Sequence, residues 1–159
     1  MNQDEEKKLK SKAEAYCSAA ERCPSDVMEK LRKWGASEEM IPVIVAHLEK
    51  ERYLDAGRFC RFFVRDKYRF NQWGRLKIVQ ALRMKQLDSA HIQEGLEEID
   101  DQEYFQILGR LLRQKARGVK AASAYERNVK LMRFAAGRGF TMDEIQRVVK
   151  QVDTDEPVD

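Results

Sequence analysis

The chain carries three copies of one pattern, and this repetition restricts its fold more than any other feature. Val27-Met28, Leu31, Ala36-Ser37 and Ile41 return 51 residues later as Ile78-Val79, Leu82, Leu87-Asp88 and Ile92. They return again 53 residues after that as Leu131-Met132, Ala135, Phe140-Thr141 and Ile145. Val45, Leu96 and Val149 extend the match, as do Leu48, Ile99 and Val152. Each copy reads as a helix, a break, a capping hydroxyl or carboxylate, and a second helix. Units of this size cannot bury an apolar face alone and must stack on their neighbours. A chain built this way presents a surface to a partner more readily than a pocket for chemistry.

Three prolines and eight glycines interrupt the chain, and strand-like alternation is absent. The expected fold is all-α: three tandem three-helix repeats in an elongated or curved helical-repeat arrangement. The predicted repeats span 1–54, 55–99 and 100–152, followed by a flexible acidic tail over 153–159. The first helix is expected over 4–22, stopping before Cys23-Pro24 because a residue preceding proline resists helical dihedrals. Ser25 or Asp26 is expected to cap the second helix, Gly35 to stop it and Ser37 to cap the third. Pro42 falls about a turn into that third helix and predicts a slight irregularity. Asp55, Asp88 and Asp100 or Asp101 read as further caps. Thr141 with Glu144 reads as a capping box, and Gly137-Arg138-Gly139 as the stop before it. Phe59, Phe62 and Phe63 are expected on the buried side of the fourth helix, with Phe70 and Trp73 anchoring the turn that follows.

Catalysis needs groups held together that can attack or change protonation, and the sequence offers none at a recognisable spacing. His47 and His91 occupy non-equivalent repeat positions and are expected on helix faces. The acidic run Glu94, Glu97, Glu98, Asp100, Asp101 lacks the ligand alternation and fixed glycine of a calcium loop. No glycine-rich phosphate-binding stretch is present. The expectation is a non-enzymatic protein without cofactor or metal. Cys17, Cys23 and Cys60 form no CxxC pair and are expected as small buried side chains of a protein in a reducing cytoplasm. No apolar run reaches the ~20 residues a bilayer crossing needs, and the polar N-terminus does not look like a secretion signal. A cytoplasmic monomer without membrane contact is expected.

Charge is segregated along the chain. Residues 55–85 carry nine Lys or Arg against two acids, 88–103 carry seven acids and no Lys or Arg, and 110–138 carry nine Lys or Arg against one acid. Alternating blocks of this kind are a feature of interaction surfaces. Arg58, Arg61 and Arg65 share one helical face, and Arg110, Arg113 and Arg117 repeat that spacing on the first helix of the third triplet. Lys77 and Lys130 occupy aligned positions. With Lys67, Arg69, Arg75, Arg83, Arg127 and Arg133 they are the candidate partner- or DNA-contacting residues, since guanidinium and ammonium groups suit carboxylates or phosphates. Tyr68, Phe70 and Trp73 lie interleaved with cations, a pattern that also suits stacking on single-stranded bases.

These residues together resemble the RecX family of bacterial RecA regulators. The likeness is carried by Tyr53-Leu54-Asp55, Arg58-Phe59-Cys60 with Phe63-Val64, and Gly74-Arg75-Leu76-Lys77-Ile78 with Leu82. It is completed by Arg138-Gly139-Phe140-Thr141 with Ile145. It covers roughly residues 12–152. The chain departs from the family pattern at Glu21-Arg22-Cys23-Pro24-Ser25, at Ala36 in place of a usual aromatic and at Cys60 in place of a usual alanine. The resemblance implies a regulator that lies in the groove of the RecA–single-stranded DNA filament. Such a regulator inhibits or destabilises the filament and modulates recombination, repair and the SOS response, meeting single-stranded DNA weakly or through RecA. The residues alone leave open a direct nucleic-acid-binding helical module without RecA specificity.

Overall fold

The computed structural model describes residues 3–154, and among these it holds nine helices and no strand. They are α1 Gln3–Ala19, α2 Pro24–Lys33, α3 Met40–Lys50, α4 Ala56–Arg69, α5 Arg75–Met84, α6 Ser89–Leu96, α7 Asp101–Gly118, α8 Ala124–Gly137 and α9 Met142–Thr154. The chain is all-α and its helices fall into three triplets. α9 runs through Thr154, two residues into the stretch expected as an acidic tail, and residues 155–159 lie outside the described residues.

One backbone device closes the second helix of every triplet. After α2, the Gly35 N–H donates to the Arg32 carbonyl at 3.0 Å and the Ala36 N–H to that of Leu31 at 2.9 Å. After α5, Gln86 bonds Arg83 at 2.8 Å and Leu87 bonds Leu82 at 3.2 Å; after α8, Gly139 bonds Ala136 at 3.0 Å and Phe140 bonds Ala135 at 3.2 Å. This is the Schellman pairing, which satisfies the last free carbonyls of a helix and requires a left-handed residue at its centre. Gly35 (φ 90°), Gln86 (φ 67°) and Gly139 (φ 100°) supply it at equivalent repeat positions.

The chain divides into two compact units. The first comprises residues through Phe62 together with Leu82–Gly95, and the second comprises Phe63–Ala81 together with Leu96 onward. The first unit packs Leu9, Ala13 and Cys17 of α1 against Val27 and Leu31 of α2 and Ile41, Ile44 and Leu48 of α3. It also contains one joint between repeats: the Ser25 hydroxyl donates to the Lys85 carbonyl at 2.7 Å, and Lys85 Nζ meets Asp26 at 3.0 Å. The second unit buries Tyr104, Leu108 and Leu112 of α7 with Leu131, Phe140 and Ile145. Its joint has the same parts in the same register. The Gly74 N–H donates to the Arg138 carbonyl at 2.8 Å, and the Leu76 N–H to that of Gly139 at 3.0 Å. In both joints the start of one repeat's second helix sits on the left-handed turn of the next repeat. Approach at Gly74 is so close that an added Cβ would lie 2.3 Å from the Gly139 backbone.

Several local expectations are corrected. α1 ends at Ala19, before the expected 22, and Arg22 folds back over the Tyr16 ring at 3.8 Å while donating to the Tyr16 carbonyl. Cys23 takes the cap position of α2, where the Asp26 carboxylate accepts its N–H at 3.1 Å; Ser25 is committed to the joint. The irregularity expected at Pro42 is present: the Ile41 N–H bonds the Ser37 carbonyl at 3.3 Å, Pro42 has no N–H to carry the ladder on to Glu38, and regular helix starts only at Met40. The buried stripe of α4 is Cys60, Val64 and Tyr68 with Phe59, whereas Phe62 is 46% exposed. Phe70 is 78% exposed and anchors nothing; Trp73 packs edge-on against Phe63. The expected caps Ser37, Asp55, Asp88 and Asp100 each accept a backbone N–H, and Thr141 and Glu144 form the capping box. Cys17, Cys23 and Cys60 are buried, and burial pushes the Cys17 and Cys60 thiols up to about 11. No described helix is long and apolar enough to cross a membrane.

Candidate cationic interaction surface

The first basic block meets the acidic block inside the molecule. Arg61 pairs with Glu94, Arg65 with Glu98 at 3.3 Å, and Arg69 with Glu103 at 3.1 Å. Arg75 bridges Asp101 and Glu144, the latter at 2.8 Å. Arg58 instead reaches Glu21 at 2.9 Å and the carbonyls of Arg52 and Tyr53. The periodicity that places Arg58, Arg61 and Arg65 on one face of α4 therefore turns each of them toward a carboxylate of the compact unit it belongs to. The same geometry recurs in the first triplet with exchanged charge types, where Glu14 and His47 stand 2.8 Å apart at positions equivalent to Arg65 and Glu98. His91 pairs with Asp88 at 2.9 Å, so both histidines sit on helix faces beside carboxylates.

Tyr104 ties the Arg75 cluster together. Its hydroxyl accepts the Arg75 N–H at 2.9 Å and donates to Glu144 at 2.9 Å, while the Arg75 guanidinium lies 4.2 Å from its ring centroid. Burial pushes the phenol well above the ordinary tyrosine range; the Arg75 N–H acts against this and Glu144 with it. The group stays a neutral donor at any working pH.

Several of the remaining candidates keep more of their charge for an external ligand. Lys67 and Lys77 lie over the Trp73 ring at 5.2 and 4.7 Å, and Lys67 has only a loose partner in Asp66 at 3.8 Å. Arg83, Arg110, Arg113 and Arg133 are exposed and make no ion pair among the described residues. Arg117 is exposed and Arg127 half-buried. Lys130 Nζ donates to the Lys120 carbonyl at 2.6 Å, a contact that leaves its charge unneutralised.

The structure brings Lys130 and Arg133 together with three residues outside the repeat-aligned set, Lys115, Lys120 and Phe134, around a cleft of about 520 Å³ between the end of α7 and α8. Lys115 and Arg138 hold their charges 5.1 and 5.7 Å from the Phe134 ring. An aromatic ring attracts a cation through its quadrupole without cancelling its charge. α8 starts at an N-cap: the Ser123 hydroxyl accepts the Glu126 N–H at 3.1 Å, while the Glu126 carboxylate accepts that of Ala122. Lys115, Lys120 and Arg138 all belong to the 110–138 basic block; their common location was not legible because repeat alignment pairs residues across triplets and not across a helix joint. Arg110 and Arg113 are elsewhere on α7, and Arg113 lines a separate polar groove with Phe105 and Arg147, the latter stacked 4.2 Å from the Phe105 ring.

Comparison with known proteins gives a consistent result. Family models for the second and third three-helix domains of RecX match residues 57–96 and 101–149, together more than half of the chain. The regulatory protein RecX of Pelodictyon phaeoclathratiforme is 32% identical over 137 residues, covering 83% of this chain and 84% of that protein. The regulatory protein RecX of Oceanobacillus iheyensis is 28% identical over 144 residues, or 91% of this chain, which spans only 53% of that relative's length. The crystal structure of RecX from Lactobacillus salivarius superposes with a TM-score of 0.88 over 96% of this chain and 99% of that one, at 21% identity, a likeness of fold. With matching domain models, a relative above 30% identity and a shared three-helix fold, the chain belongs to the RecX family.

Proposed function

We propose that the chain is a non-enzymatic regulator of the RecA–single-stranded DNA filament, and that it engages the filament chiefly through the cations of its third triplet. Family membership supports a regulator. The observation that carries the choice of surface is the partition of charge: Arg58, Arg61, Arg65, Arg69 and Arg75 are matched by carboxylates of the chain. Arg110, Arg113, Lys115, Lys120, Lys130 and Arg133 have no ion-pair partner among the described residues. Unneutralised charge gives long-range attraction to an anionic polymer. Inhibition of filament growth is the expected sign of the effect, by likeness to the family.

RecA-dependent strand exchange measured with and without the protein tests this reading. Reduced extent or rate is expected, and an unchanged reaction contradicts it. The Phe134 cleft, with Lys115, Lys120, Lys130 and Arg133 around it, favours a second reading in which the chain binds nucleic acid directly. That reading expects tight binding to naked single-stranded DNA, falling steeply with salt through counterion release. Weak binding to naked DNA that strengthens many-fold on RecA-coated DNA favours the first.

A further inference from the structure

The turn between α4 and α5, within the second unit, gathers aromatic rings and cations that the third-triplet surface leaves out. Phe70 is 78% exposed there. A single exposed ring means little by itself, but this one stands on a backbone pinned from several sides. The Phe70 N–H donates to the Asp66 carbonyl at 2.9 Å and the Trp73 N–H to that of Lys67 at 3.0 Å. Gln72 is held left-handed at φ 58°, and the Arg138 guanidinium donates to the carbonyls of Asn71 and Gln72 at 2.9 and 3.4 Å.

Three cations surround this turn. Lys67 Nζ lies 5.3 Å from the Phe63 ring and 5.2 Å from that of Trp73, and Lys77 Nζ lies 4.7 Å from Trp73. One indole ring thus orders both ammonium groups. Lys77 and Arg138 make no ion pair among the described residues, and Lys67 has only Asp66 at 3.8 Å. Ring contacts and carbonyl hydrogen bonds order these side chains without cancelling their charge. Arg138 also lies 5.7 Å from the Phe134 ring, so the turn and the third-triplet cleft share a cation.

A ligand that suits ordered cations beside a projecting ring is a polyanion with flat apolar faces open to contact. Single-stranded nucleic acid has both properties, whereas a duplex hides its base faces in the stack. An acidic peptide meets the cations and leaves Phe70 unmatched. We infer that this turn is a second contact for single-stranded nucleic acid, in which Phe70 stacks on one base and Lys67, Lys77 and Arg138 take the flanking phosphates. Trp73 is a positioning residue, because both lysines already lie over its ring. The inference rests on the direct nucleic-acid reading of the Phe134 cleft and adds a second contact to it.

The test is the binding of a labelled deoxythymidine oligomer to the full chain, followed by fluorescence anisotropy over a series of salt concentrations. Phe70→Tyr keeps a ring and is expected to bind like wild type. Phe70→Leu keeps apolar bulk but no ring and is expected to bind roughly tenfold more weakly, the loss of one stacked base. Both changes are at an exposed position, and helical circular dichroism is expected to stay the same. Lys67→Gln and Lys77→Gln are each expected to reduce the salt slope of the logarithm of affinity by about 1. Equal binding by Phe70→Leu and wild type would overturn the inference and leave the cleft reading standing; lost regulation of RecA by that same variant would then assign the turn to a protein partner. Failure of the wild-type chain to bind the oligomer at low salt would overturn both.

Discussion

Gly74 and Gly139 meet at backbone distance, and the second joint depends on neither having a side chain. Gly74→Ala places a methyl group 2.3 Å from the Gly139 backbone, and Gly139→Ala adds left-handed strain to a 2.4 Å clash with Lys77. Each is expected to lower stability by about 2–4 kcal/mol, from overpacking and, at Gly139, the left-handed penalty. Gln86 occupies the same left-handed position without being glycine, so Gln86→Gly is expected to raise stability by about 1 kcal/mol. Chemical denaturation of the three variants checks both signs. Gly35 and Gly139 were legible as helix stops from their residue type. Gln86 was not, because only the repeat register marks it as their equivalent. The exposure of Phe62 and Phe70 was also illegible, since three nearby phenylalanines fit a helical stripe while the buried line follows the less conspicuous Cys60, Val64 and Tyr68.

At the scale of elements, ion pairs and capping bonds set how helices meet. Burial works against ionisation of Asp26, but hydrogen bonds from Lys85 and the Cys23 N–H outweigh it and hold its carboxyl below the ordinary aspartate range. A depressed folded pKa contributes stability that is complete above the unfolded value, about 3.9, and is lost as pH falls through the folded value. Asp26→Asn is therefore expected to cost about 1–3 kcal/mol at neutral pH, with the difference from wild type closing below about pH 4. Melting temperatures of both proteins between pH 7 and pH 2.5 check this. Tyr104 serves the second unit similarly. Tyr104→Phe leaves the Arg75 N–H without its acceptor and removes one of the three donors to Glu144, and should cost about 1–3 kcal/mol with little change in packing. Urea unfolding is the measurement, and a cost near zero would show that solvent replaces both bonds. The caps Ser37, Asp55, Asp88 and Asp100 were legible because an N-cap is a local choice between a side chain and a backbone N–H three residues on. The Asp26–Lys85 and Arg75–Glu144 pairs were not, being 59 and 69 residues apart in sequence.

Across the whole molecule, the blocks of charge have different uses. The acidic stretch 88–103 supplies Glu94, Glu98, Asp101 and Glu103 to Arg61, Arg65, Arg75 and Arg69, so much of the 55–85 block is neutralised internally. Segregation along the chain was visible in the sequence; its cancellation in space was not, because helical periodicity gives a residue's face but not what that face meets. Charge reversal of Arg58, Arg61 and Arg65 together is therefore expected to lower stability, each lost pair contributing up to about 1 kcal/mol, with added repulsion from the facing carboxylates. The 110–138 block has one acid, and Arg110, Arg113 and Arg133 within it make no ion pair among the described residues. The most direct test of the account is strand exchange with an Arg110→Glu, Arg113→Glu, Arg133→Glu triple variant, its melting temperature measured alongside. The account predicts lost regulation of RecA with melting unchanged. Full regulation by that variant, with loss appearing only when the α4 arginines are reversed, would contradict it.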